Sequence, residues 1–189
     1  MQTISQIYQA EIKIKKSTFL AFICPFDAFD SLLENLKKEH TKAVHFVWAY
    51  RFLNKFHQIV EDKNDDGEPK GTSALPSLNV LRGVELVNVA VIIVRYFGGI
   101  KLGTGGLVRA YSEAVNAAVA KAVLIPLKEQ IKISIALKFL SRFEYFLNKN
   151  KIYFKKEFKE NEVLLLIDVE SKQKENFKQF SQKFNAIFM

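Results

Sequence analysis

Residues 95–111, RYFGGIKLGTGGLVRAY, hold five of the eight glycines in the chain: Gly98, Gly99, Gly103, Gly105 and Gly106. The apolar run ahead of them, residues 89–94, is short and rich in β-branched side chains, as in a strand buried on both faces. Behind them, apolar residues recur at 107, 108, 111, 114, 115, 118, 119 and 122, a helical spacing that leaves Arg109, Glu113 and Asn116 on the opposite face. The order is therefore strand, glycine-rich loop, helix. The first N–H groups of a helix lack intrahelical partners and carry partial positive charge, and glycines let a ligand approach them. With Lys101, Arg95 and Arg109 close by, the expected guest is a phosphate or another anion. The same glycines also suit tight turns and close packing with no ligand at all. The pattern matches neither G-x-G-x-x-G nor a P-loop.

A chain of 189 residues with 49% hydrophobic and 25% charged side chains can bury a core, in one large domain or two small ones. Cys24 is the only cysteine and lies within the apolar stretch FLAFICPF, so it reads as a buried, inert thiol. The N-terminal residues lack a signal layout and no apolar run reaches membrane-spanning length, which points to a cytoplasmic protein away from membranes. The net charge is +8. Residues 127–189 hold 13 basic and 8 acidic side chains against 15 and 12 in the longer first part, so positive charge is denser in the tail. An acidic partner such as nucleic acid fits, and so does a solvated lysine surface.

Along the chain, residues 6–24 read as two strands or one bent strand, with Lys15, Lys16 and Ser17 at the bend. Asp27 or Asp30 is placed to cap a helix carrying Leu32, Leu33 and Leu36. Residues 43–53 read as a strand, turned at Asn54–Lys55 into a partner over 56–60. On that strand His45, Val47 and Ala49 share one face, and Phe46, Trp48 and Tyr50 the other. His45 suits a base, a ligand or a hydrogen-bonded core position. Residues 61–72, EDKNDDGEPKGT, read as an acidic loop. Residues 73–81 read as a short helix. After Pro126 there is no glycine or proline, and the pattern becomes strand, helix, strand, strand, helix and a short strand over 185–189. That β-α-β-β-α-β order is ferredoxin-like. The expected boundary divides residues 1–126 from 127–189.

Two motifs, NDDGEPKGTSALP and VRYFGGIKLGTGGLVRAY, together with IKKSTF and with His45, Ala49 and Tyr50, resemble the signature of the YigZ/IMPACT family over the whole chain. Where the family usually has Gly-Thr-Ala-Gly, this chain has Gly71-Thr72-Ser73-Ala74, and Lys70 stands in place of the usual serine. The resemblance implies an α+β protein. Its first domain would be similar to domain 2 of the fifth small-subunit ribosomal protein, and a ferredoxin-like domain would follow. It also implies relatives that regulate translation in eukaryotes, with nucleic-acid binding the usual suggestion for bacterial members.

The expected function is a translation-associated regulator binding RNA, the ribosome, another polyanion or a translation-related protein. Arg95, Lys101, Gly103, Thr104, Gly105, Gly106 and Arg109 would receive the ligand, with His45, Tyr50 and Tyr96 in support. No cofactor is expected. The alternative is a metal-assisted hydrolase or phosphoryl-transfer enzyme in which Asp65, Asp66 and Glu68 hold a divalent ion, against a purely structural pairing of Arg95 with those acids.

Overall fold

The apolar run before the glycines forms the middle strand of a five-stranded sheet. The computed structural model describes residues 1–188, which cluster into two compact units: Gln2–Ile125, and residues 126–188 with Met1.

In the first unit, β1 (Gln2–Thr3) is followed by β2 (Tyr8–Ile14), β3 (Ser17–Pro25), α1 (Phe29–Glu39), β4 (His45–Leu53), β5 (Ile59–Asn64), α2 (Ala74–Gly83), β6 (Val89–Tyr96) and α3 (Thr104–Lys121). The sheet order is β2-β3-β6-β4-β5, antiparallel throughout. Every residue of β6 from Val89 to Arg95 is buried, because both faces of the sheet are covered. Val89, Val91 and Ile93 pack with Phe19, Val47 and Ala49 in the core completed by α2 and α3. Ala90, Ile92 and Val94 pack with Cys24, Phe29 and Leu36 in the layer closed by α1. The alternation expected on β4 is observed: Val47 and Ala49 join the first core, and Phe46, Trp48 and Tyr50 border the second. Burial pushes the Cys24 thiol up to about 12, so it is unreactive.

Two local expectations are corrected. The acidic stretch is not all loop, since β5 extends to Asn64. The cause is the ladder with β4, in which Glu61 lies opposite Arg51 and accepts from its Nε at 2.7 Å, while also pairing with Arg82. The Arg82 hydrogen bond is the chief cause holding the Glu61 carboxyl below its ordinary value. Neither Asp27 nor Asp30 caps α1. A 3₁₀ turn at Phe26–Ala28 precedes it, and the Phe29 N–H is met by the Phe26 carbonyl.

The second unit contains β8 (Lys128–Ala136), α4 (Leu140–Lys149), β9 (Tyr153–Phe158), β10 (Glu162–Glu170), α5 (Ser171–Gln182) and β11 (Ile187–Phe188), after the two-residue β7 (Ile125–Pro126). Its antiparallel sheet has the order β11-β8-β10-β9, the arrangement the ferredoxin-like pattern requires. Ile133, Leu165 and Ile167 form its core with Phe143, Leu147 and Phe177. The last strand is observed at Ile187–Phe188, and Met189 lies outside the described residues.

Candidate functional site

At the C-terminal end of β6 a cleft of about 460 Å³ is lined by Val44, His45, Glu68, Pro69, Arg95 and Phe97, and by Lys101 to Thr104 with Leu107. His45 and Arg95 face each other directly in the β4–β6 ladder. The chain leaves β6 through Gly98, whose close fit is steric: a Cβ there would lie 2.0 Å from the Lys16 carbonyl oxygen. Gly103, with φ at +72°, then starts α3 and has open space around it. Among the described residues no side chain caps the start of this 18-residue helix. Gly103 and Thr104 at its start and the exposed Lys101 border the cleft together.

The opposite wall is a buried polar network. Glu68 is 8% exposed and accepts hydrogen bonds from Arg95 Nη1 and, at 2.7 Å, from the Tyr111 hydroxyl. Burial first, and the Glu68 charge second, push the Tyr111 phenol far above its ordinary value, so it keeps its proton and donates it to Glu68. Arg95, 5% exposed, also reaches Ser17 Oγ at 3.5 Å and lies over the rings of Phe19 and Phe97. Its Nε–H is buried without an acceptor. Arg95 thus belongs to the site, but its charge is matched by Glu68 inside the protein. Among the described residues that line the cleft, Lys101 remains as the cation available to a ligand.

The three loop acids do not converge. Asp65 accepts from the Gly71 N–H at 2.8 Å, the Ser73 hydroxyl at 2.5 Å and the Ala74 N–H at 2.8 Å, so it caps α2 from nine residues away. Burial raises its carboxyl, but the bonds from Gly71, Ser73 and Ala74 outweigh this and hold it below its ordinary value. Ser73, one of the departures from the family pattern, supplies the shortest of them. Asp66 accepts from the Phe46 N–H at 2.6 Å, and its carbonyl accepts from His45 Nδ1 at 2.7 Å. Among the described residues no group of three or more His, Cys, Asp or Glu is placed to hold a metal ion. The metal-assisted alternative therefore lacks its ligand set.

The structure brings together Arg95, Lys101, Gly103, Thr104, Glu68 and His45. Gly105, Gly106 and Arg109 occupy the first turns of α3 outside the cleft lining. Tyr50 and Tyr96 lie on the other sheet face, where the Tyr96 hydroxyl meets His40 Nδ1 at 2.8 Å. Sequence reasoning missed Phe97, Leu102 and Tyr111. A tyrosine on the apolar stripe of a helix was the available signal, since a buried hydroxyl requires a partner.

The Impact N-terminal domain family model matches residues 15–119, a span that takes in the acidic loop, the glycine-rich loop and nearly all of α3. The chain belongs to the Impact N-terminal domain family. It is 38% identical over 117 residues to the IMPACT family member YvyE of Bacillus subtilis, covering 60% of this chain and 53% of that protein. It is 36% identical over 129 residues to an IMPACT family member of Thermus thermophilus, covering 67% and 68%. The alignment thus spans about half the length of the Bacillus relative. A crystal structure of a hypothetical protein, 25% identical, aligns with all of this chain and 95% of its own at a TM-score of 0.62. No helix among the described residues is long and apolar enough to cross a membrane.

Proposed function

We propose that this protein is a cytoplasmic, translation-associated regulator that binds RNA, or another polyanion, at the cleft where Lys101 meets the start of α3. One observation carries the reading. Arg95 and Glu68 neutralise each other within the wall, while Lys101 and the uncapped α3 start are left to a ligand. An anion set there meets partial positive charge from the helix and a full charge from the lysine. The net charge of +8 adds long-range attraction. Family membership supports the translation setting, through the translation regulators that the sequence resemblance implies among eukaryotic relatives.

Binding of a labelled uridine octamer, followed by fluorescence anisotropy, tests this. Each neutralised phosphate releases counterions, so affinity should drop steeply between low and moderate salt. Affinity that stays level across that range would overturn the polyanion reading.

A further inference from the structure

We propose that the cleft distinguishes RNA from DNA. It seats one ribonucleotide with its phosphate at the start of α3 beside Lys101 and its 2′-hydroxyl donating to His45 Nε2. The inference rests on the polyanion reading above and adds which sugar the site takes.

The argument begins at His45. Its Nδ1 lies 2.7 Å from the Asp66 carbonyl oxygen. A carbonyl only accepts, so Nδ1 carries a proton, and in that tautomer Nε2 is the acceptor. Nε2 stands 3.8 Å from Glu68 Oε1, beyond hydrogen-bond reach, and that oxygen already accepts from Arg95 and Tyr111. No donor from the described residues meets Nε2. Directly across the ladder, Arg95 has the complementary gap, an Nε–H without an acceptor. The Arg95 Nε–H is buried out of a ligand's reach, so on the cleft side the wall is short of one donor, at His45 Nε2. A hydroxyl is a small neutral group that can supply it.

The two ends of the cleft select different chemistry. Lys101 and the α3 start favour an anion. At the His45 end the Glu68–Arg95 pair is internally neutralised and offers an anion no free cation, so a neutral donor suits His45 Nε2. Between them, Val44, Phe97, Leu102 and Leu107 offer apolar surface, and Phe97 is 48% exposed, available to a flat ring. The volume of about 460 Å³ falls in the range of sites for single small molecules. A ribonucleotide carries all three features, namely phosphate, sugar hydroxyl and base. A deoxyribonucleotide lacks the donor that His45 requires.

The full chain is titrated with three labelled octamers of one sequence: ribo, deoxy and 2′-fluoro. The 2′-fluoro strand keeps an RNA-like sugar but cannot donate. The ribo strand should bind about fivefold to tenfold more tightly than the other two, the effect of one hydrogen bond. His45→Phe should abolish the difference between ribo and deoxy binding, whereas Lys101→Ala should weaken all three alike and keep that difference. Should His45→Phe fail to fold, the 2′-fluoro strand alone decides whether a donor is required. Equal binding of the three strands, with each still dependent on Lys101, would overturn the sugar reading and leave the polyanion reading standing. Absence of binding by any strand would remove both.

Discussion

Two loops border the cleft, and they are built in opposite ways. In the acidic loop, residues 65–72, each carboxylate has a protein partner: Asp65 caps α2, Asp66 holds the β4 backbone, and Glu68 neutralises Arg95. The glycine-rich loop, residues 97–103, is fastened at Gly98 by packing and is then open through Gly103. Charge in the acidic loop is spent on architecture, and charge in the glycine-rich loop faces solvent. From sequence the acidic loop is the alternative functional candidate, yet its carboxylates are taken up by backbone groups, Ser73, Arg95 and Tyr111.

Mutation should separate the two loops by what is lost. The largest effect is expected for Glu68→Ala, which strands the buried Arg95 guanidinium and the Tyr111 hydroxyl. Breaking a buried pair from one side typically costs about 3–5 kcal/mol, and a denaturant melt reads it directly. A change below about 1 kcal/mol would mean the network is looser than its burial indicates.

Gly98→Ala should come next, at about 1–3 kcal/mol, because the obstacle is the Lys16 backbone and not a movable side chain. Gly105→Ala should instead be neutral or gain about 0.4–1 kcal/mol, since its added Cβ would approach nothing nearer than Arg109 Nη1 at 3.8 Å. Thermal melts of the pair would blur the contrast if both glycines proved equally sensitive.

Asp65→Ala removes the cap of α2 and should cost about 0.5–2 kcal/mol. The pH dependence carries its signature. A carboxyl held below its ordinary value stabilises the fold above that value, 3.8 for aspartate, and the contribution disappears as pH falls through the lowered one. Stability of the wild type should therefore decline in acid more steeply than that of Asp65→Ala, and parallel acid limbs would contradict the cap.

Most of the fold was legible because its signals are local. The apolar run of β6, the helical period of α3 and the ferredoxin-like order of the tail each announce themselves within some 20 residues. What escaped depends on residues far apart in the chain. A pairing of Arg95 with the loop acids was read from the sequence, and Glu68 is the acid that makes it, but Glu68–Tyr111 spans 43 positions and leaves no spacing to read. The same holds for β5, whose extension through Glu61 depends on Arg51 and Arg82. At the site, Lys101, Gly103 and Thr104 were found through the helix-start argument. Arg109 was included for charge alone, and the helix turns it outside the cleft lining. Phe97 and Leu102 gave no signal, because an apolar residue beside glycines reads as ordinary loop.

The claim that the glycine-rich side is the ligand face is tested most directly by Lys101→Ala, with Arg109→Ala as its control, in anisotropy titrations of the uridine octamer. Lys101 is exposed, so its melting temperature should match the wild type. A charge-assisted hydrogen bond to phosphate contributes roughly 1.5–3 kcal/mol, so affinity should fall about tenfold to a hundredfold for Lys101→Ala and much less for Arg109→Ala. Unchanged affinity for a folded Lys101→Ala would contradict the account and make the glycine-rich loop a packing device.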